Sequence, residues 1–144
     1  MIKAALFDLD GVVFDTESQY SVFWGMIGKE YHPEIPNFAQ IIKGQTLVQI
    51  YDKYFSDDKI FASKVDFCSV KDEQAKITAR LDEFEQNMNY NYIAGFEDFV
   101  KDLRNNGIKC AVVTSSNIPK MLNVYQQRPE FKDYFDRVLT SEDF

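Results

Sequence analysis

The sequence predicts an α/β fold in which a parallel sheet forms a core and an all-helical segment is inserted into that core. Two continuous apolar runs, Ala4–Phe7 and Ile108–Val113, indicate buried strands, because strands of a parallel sheet are covered on both faces. About a hundred residues separate the two runs, whereas a β-α-β crossover needs only about a dozen. This spacing predicts a helical insertion at 16–91 and a core formed by 1–15 and 92–144.

Helical spacing of apolar residues, together with capping residues, predicts the elements of the insertion in chain order. The predicted helical segments are Glu17–Lys29, Phe38–Lys43, Thr46–Phe55, a region that starts at Ser56, and Lys71–Met88. Two X-Pro pairs break the chain between the first two segments. His32, the only histidine, lies there and is expected on the surface.

The elements that follow the insertion predict the rest of the core. They are a helix at Phe96–Arg104, a turn at Asn105–Gly107, the strand Ile108–Val113, a helix that Asn117 caps and Pro129 ends, and a strand that opens at Val138–Thr140. The alternation of strand and helix is typical of a parallel sheet.

Composition excludes several classes of partner. The chain is 27% charged with a net charge of −7 and has no run of Lys or Arg, which argues against a nucleic-acid surface. No apolar run approaches the length that spans a membrane. The two cysteines, Cys68 and Cys110, fit no metal-binding spacing and are interpreted as reduced core residues of a cytoplasmic protein.

Paired carboxylates follow the first predicted strand in the string Asp8-Leu9-Asp10-Gly11. Side chains two residues apart on a strand share one face, so the charges of Asp8 and Asp10 come close together. Mg²⁺ prefers carboxylate and carbonyl oxygens and would neutralise them. Gly11 allows a sharp turn and a close approach to a ligand.

A second polar turn, Thr114-Ser115-Ser116-Asn117, follows the strand that ends at Val113. Ligands of open α/β sheets bind at the carboxyl ends of the strands, and parallel strands place those ends on one edge. The hydroxyl of Thr114 and the N–H groups of the turn are therefore expected to face the two carboxylates, which makes a site suited to phosphate. Taken alone, this turn could equally be only a helix cap.

The string from Phe7 to Glu17 and the turn at 114–117 resemble the first two signature motifs of the haloacid dehalogenase superfamily, in its β-phosphoglucomutase-like branch. The resemblance implies a Rossmann-like core with a helical cap, and an aspartyl-phosphate mechanism that uses Mg²⁺. Asp8 would be the nucleophile, Asp10 the general acid and base, and both would hold the metal ion. Leu9, Thr114 and Ser115 would bind the phosphoryl group of a small phosphorylated metabolite, such as a sugar phosphate.

The cap of that family carries a loop that faces the substrate, and Lys43 and Gln45 occupy a similar loop here. An ordinary turn between two helices is an equally good interpretation. The mutases of the branch carry a histidine shortly after the first motif. The corresponding residues 18–21 have none, which favours a phosphatase over a mutase.

The family's third-motif lysine and its acidic metal-binding cluster have no counterpart in this sequence, and Glu142 and Asp143 do not replace them. The sequence resembles the N-terminal two-thirds of such an enzyme. A chain of this extent is expected to be inactive or weakly active and to self-associate. A non-catalytic phosphate-binding module remains an alternative, whereas a phospho-receiver domain would lack the long helical insertion.

Overall fold

The protein is described here from a computed structural model, which defines residues 2–143. Its sheet has three parallel strands in the order β1-β2-β3, namely β1 (Ala4–Phe7), β2 (Lys109–Val113) and β3 (Arg137–Leu139). The α-helices of the described part are α1 (Glu17–Tyr31), α2 (Phe38–Ile41), α3 (Leu47–Tyr54), α4 (Val70–Asn87), α5 (Phe96–Asn105) and α6 (Ile118–Gln127). Short 3₁₀ turns occur at Asp58–Phe61, Phe131–Tyr134 and Ser141–Asp143. The predicted α/β class with a parallel sheet is confirmed.

The chain folds into two compact units. The core unit comprises the residues up to Glu17 and those from Glu85 onward, and the helical unit comprises Ser18–Phe84. The boundaries predicted from the sequence are 15/16 and 91/92. The boundaries of the two units differ from these because each lies within a helix: α1 begins in the core unit, and the last turn of α4 belongs to the core unit.

An aromatic cluster fills one face of the sheet in the core unit. Phe7 makes edge contacts with three rings, and Phe14 stacks between Tyr92 and Phe131. The partners of Phe7 are Phe96 and Phe99 of α5 and Phe135. These rings remove a large apolar area from water and fix α5 against β1.

The opposite face of β1 is open to solvent. Leu6 points away from the aromatic cluster because successive strand side chains alternate, and it is 71% exposed. β1 also lies at an edge of the sheet, where unpaired backbone groups can pair with another chain.

We expect this exposed face to drive self-association of the 144-residue chain. Replacing Leu6 with Lys should lower the mass-average molecular mass measured by sedimentation, because a charge on this face opposes its burial. The matched control is Val48→Lys at a residue of the helical unit that is 69% exposed, which should leave the mass unchanged. Equal masses for all three proteins would exclude this face as the contact.

The helical unit has its own apolar core. Its fully or nearly buried residues come from α1 to α4 and the intervening turns, and they are Phe23, Trp24, Ile27, Tyr31, Phe38, Ile42, Ile50, Phe55, Phe61 and Ile77. Thr46 begins α3 with a capping box, in which its hydroxyl accepts from Gln49 N and its own N–H donates to the Gln49 side chain.

Three local predictions from the sequence are wrong. β1 is predicted to be buried on both faces, but only Phe7 of its four residues is buried. His32 is only 8% exposed, because its ring stacks on Phe38 and its two nitrogens contact the Glu34 carboxylate and the carbonyl oxygen of Tyr54. Cys68 is exposed rather than in the core, whereas Cys110 is buried as predicted. No helix within residues 2–143 combines the length and apolar character needed to cross a bilayer.

Two glycines of α1 offer a matched test of the packing in the helical unit. A Cβ at Gly28 would lie 2.6 Å from the Cβ of Phe38, whereas a Cβ at Gly25 would meet nothing within 4 Å. Gly28→Ala should therefore destabilise the protein by about 1–3 kcal/mol through overpacking. Gly25→Ala should stabilise it by about 0.5–1 kcal/mol, because glycine weakens a helix interior. Urea unfolding measures both, and shifts of the same sign would contradict this packing.

Candidate active site

The first carboxylate of the site, Asp8, directly follows β1. Its side chain is exposed, and its Oδ1 accepts a hydrogen bond of 2.7 Å from the N–H of Leu9. Leu9 itself is fully buried, which anchors the backbone beneath the carboxylate. Asp8 is therefore held by a rigid strand end while its charge stays in water.

A tight turn follows, because the chain reverses immediately after Asp10. The carbonyl oxygen of Leu9 accepts from the N–H groups of Val13 and Phe14, and Gly11 N donates to Phe14 O at 2.8 Å. Gly11 has a φ of +77°, and a Cβ there would lie 2.5 Å from Glu17 Oε1. The positive φ explains why this position favours glycine, whereas the flexible, exposed Glu17 side chain could move away from a Cβ.

The second carboxylate, Asp10, is held by two donors. Thr16 Oγ1 donates to Oδ1 at 2.6 Å, and Lys120 Nζ donates to Oδ2, also at 2.6 Å. Thr16 is fully buried, whereas the side chain of Asp10 is 30% exposed. Because each donor binds a different oxygen of Asp10, the two hydrogen bonds fix the orientation of this carboxylate.

Lys120 was not among the predicted site residues, although a local signal in the sequence marks it. Asn117 caps α6 by accepting from Lys120 N at 3.0 Å, so Lys120 is the third residue of the helix. A positive charge near a helix N-terminus is unfavourable with the helix dipole, and such a lysine needs other anions. Asp10 supplies one, and Glu85 Oε2 supplies another at 3.8 Å.

A tyrosine, Tyr90, lies beside this charged cluster. It is fully buried, and its hydroxyl donates to the carbonyl oxygen of Glu85 at 2.8 Å. Burial raises the pKa of the phenol, and the charges of Glu85 and Asp10 raise that pKa further. Tyr90 therefore stays protonated and adds no charge to the site.

The predicted phosphate-binding turn lies at the carboxyl end of β2. The parallel register pairs Phe7 with Val112, so Asp8 and Thr114 follow neighbouring strands at the same edge of the sheet. Thr114 is buried, and its Oγ1 lies 3.0 Å from Ser116 Oγ and accepts from Ser116 N at 3.1 Å. Ser115 is exposed. The structure thus brings these predicted residues to one edge, and their roles stay predictions.

The two predicted substrate residues of the cap belong to the helical unit. Lys43 and Gln45 lie in the turn between α2 and α3, where Lys43 is exposed and Gln45 Nε2 donates to Ile41 O at 3.3 Å. Their assignment stays a prediction.

The end of β1 offers only a few protein ligands to a metal ion. Within residues 2–143, no group of three or more His, Cys, Asp or Glu side chains is arranged to hold a metal ion. Asp8 offers an exposed carboxylate and Asp10 a backbone carbonyl. The two acidic residues near the end of the chain form other hydrogen bonds. Glu142 accepts from Ile118 N at 3.3 Å, and Asp143 accepts from Thr140 N at 2.7 Å. Mg²⁺ is commonly bound by one or two carboxylates with waters and substrate phosphate, so these residues fit it.

Comparison with known proteins identifies the family. The sequence model described as haloacid dehalogenase-like hydrolase matches residues 2–144. The chain belongs to the haloacid dehalogenase-like hydrolases. The predicted membership of this superfamily is confirmed.

Solved structures of this family share the fold. A HAD hydrolase of family IA, variant 3, from Entamoeba histolytica has a TM-score of 0.69 at 15% identity, covering 98% of this chain and 62% of that one. A predicted phosphoglycolate phosphatase from Haemophilus somnus has a TM-score of 0.67 at 14% identity, covering 99% and 64%. A β-phosphoglucomutase from Clostridium difficile has a TM-score of 0.58 at 22% identity, covering 100% and 64%.

These likenesses show the fold. The chain spans less than two-thirds of the length of each of the three structures. No curated protein matches the sequence. The substrate and mechanism of the whole protein are therefore matters for proposal.

Proposed function

We propose that the protein carrying this sequence is a Mg²⁺-dependent phosphatase that hydrolyses a small phosphorylated metabolite, a sugar phosphate, through an aspartyl-phosphate intermediate. The observation that carries the proposal is the pair formed by an exposed Asp8 and an oriented Asp10 at the end of β1. An exposed carboxylate beside an oriented proton carrier is the arrangement that covalent phosphoryl transfer requires.

In the first step, an oxygen of Asp8 attacks phosphorus, and the bond between phosphorus and the leaving oxygen breaks. Asp10, in its protonated form, donates its proton to that oxygen, so the product leaves as an alcohol. In the second step, Asp10 accepts a proton from water as the water oxygen attacks the aspartyl-phosphate. The bond from phosphorus to Asp8 breaks, inorganic phosphate leaves, and both side chains return to their initial forms.

The backbone and hydroxyl groups at the sheet edge would hold the transferred group. Leu9 N–H, Thr114 Oγ1 and Ser115 N–H are the proposed donors to the phosphoryl oxygens. Their position at the carboxyl ends of β1 and β2 supports this assignment. Lys43 and Gln45 are the proposed contacts to the rest of the substrate.

Asp8 and the carbonyl of Asp10 would hold Mg²⁺. When bound, the ion supplies positive charge that offsets the repulsion between the Asp8 carboxylate and the phosphate. The protein is proposed to act in the cytoplasm, since Cys68 and Cys110 are both free thiols and a reducing compartment keeps them so. Nucleic acid and membranes are not proposed as partners.

A phosphatase is preferred to a mutase because residues 18–21 contain no histidine that could assist a second sugar hydroxyl. Release of inorganic phosphate tests the proposal. The whole protein, freed of metal by chelation, should hydrolyse p-nitrophenyl phosphate and sugar phosphates at about 1 s⁻¹ or faster only after Mg²⁺ is restored. We expect the 144-residue chain to be inactive or weakly active in the same assay.

Other products of the same assay would indicate other functions. An isomeric sugar phosphate without release of inorganic phosphate would identify a mutase. If the folded protein turns over none of the esters in the presence of Mg²⁺, the alternative of a non-catalytic phosphate-binding module is favoured.

A further inference from the structure

Lys120 is a buried cation that the proposed mechanism does not use. Its side chain is 4% exposed, and it lies in the first turn of α6, where the helix dipole disfavours it. A buried ammonium group is costly unless anions and hydrogen bonds compensate it. The residues around Lys120 must therefore supply negative charge and hydrogen-bond acceptors.

That environment is made of two carboxylates from distant parts of the chain. Asp10 Oδ2 lies 2.6 Å from Nζ, and Glu85 Oε2 lies 3.8 Å from Nζ. The pair Lys120–Asp10 joins residues 110 positions apart, so it connects the turn after β1 to the helix after β2. Glu85 thus places a second carboxylate near the ammonium group.

The contact matters to the site because of which carboxylate it holds. Asp10 is partly exposed and accepts from Thr16 at its other oxygen. Thr16 alone would leave the carboxylate free to rotate about that single hydrogen bond. The second donor removes this freedom, because both oxygens are then fixed.

We propose that Lys120 is a positioning residue, which orients Asp10 toward the leaving oxygen, and that Glu85 in turn restrains Lys120. This inference rests on the proposed phosphatase function. The competing interpretation is a salt bridge that only attaches α6 to the core unit. The two differ in their effect on proton transfer, since a purely structural bridge would affect all substrates alike.

A double-mutant cycle in the whole protein separates them. The variants are Lys120→Met, which keeps the apolar stem without its charge, Asp10→Asn, and the double variant. For an alkyl phosphate, which needs protonation of its leaving oxygen, Lys120→Met should lower kcat about tenfold with little change in KM. For p-nitrophenyl phosphate the loss should be less than about threefold. In the Asp10→Asn background, Lys120→Met should cause no further loss of kcat.

The matched control is Lys109→Met, an exposed lysine at the start of β2, which should leave kcat for both esters unchanged. If Lys120→Met does not fold, Glu85→Gln replaces it. That variant keeps the Lys120–Asp10 contact and should show a smaller loss of about two- to threefold, again for the alkyl ester only.

Three results would overturn the proposal: equal losses for both esters, losses that add to those of Asp10→Asn, or a rise in KM alone. Urea unfolding of the same four proteins tests the contact independently of activity. If the shifts of the urea midpoint in the two single variants do not add in the double variant, while Lys120→Met lowers kcat equally for both esters, the contact is a structural salt bridge only. If the wild-type protein hydrolyses neither ester, both the proposed function and the positioning role are wrong. If the shifts of the urea midpoint simply add in the double variant, Lys120 and Asp10 do not interact.

Discussion

Replacing Asp8 with Asn should abolish the release of inorganic phosphate. The amide lacks the anionic oxygen that attacks phosphorus, so no aspartyl-phosphate can form, and kcat should fall by a factor of about 10⁴ or more. The fold should survive, because Asp8 is exposed and an amide oxygen can still accept from Leu9 N. We expect its unfolding free energy to change by less than about 0.5 kcal/mol.

The control for this variant is Asp102→Asn, an equally conservative change at an exposed position of α5. It should retain wild-type kcat. A complementary measurement is mass spectrometry of acid-quenched protein, which should find a phosphoryl adduct on the wild type and none on Asp8→Asn. Near-normal turnover by a folded Asp8→Asn protein would exclude Asp8 as the nucleophile.

Local chemistry explains why much of the fold could be predicted. β1 occurs where its four apolar residues precede a turn that needs a glycine, and α3 begins at Thr46 with the predicted cap. Asn117 likewise caps α6. In each case the determining residues are within seven positions of one another, so the sequence alone contains the signal.

The features that could not be predicted depend on long-range contacts. Lys120 meets Asp10 across 110 positions, and no local pattern specifies that pair. His32 is buried because Phe38 and the carbonyl of Tyr54 surround it, although the flanking prolines indicated a surface loop. Cys68, taken alone, has the same intrinsic tendency to be buried as Cys110, and only the tertiary fold separates them.

Replacing Asp10 with Asn should slow turnover in a manner that depends on the leaving group. An amide cannot donate a carboxylic proton, so hydrolysis of an alkyl phosphate should lose about 10²- to 10⁴-fold in kcat. p-Nitrophenolate leaves without protonation, and its ester should lose less in the first step. The structure favours a folded variant, because the amide oxygen can still accept from Thr16, while Glu85 remains within 3.8 Å of the buried Lys120.

The measurement for Asp10→Asn is kcat across a series of phosphate esters whose leaving groups span a wide range of pKa. Its logarithm should fall more steeply with leaving-group pKa in the variant than in the wild type, because the protein no longer neutralises the charge that develops on the oxygen. The Asp102→Asn protein should reproduce the wild-type slope. Parallel lines displaced by a constant factor would instead mean that Asp10 acts on all substrates alike, as a residue that only shapes the site or holds the metal ion would.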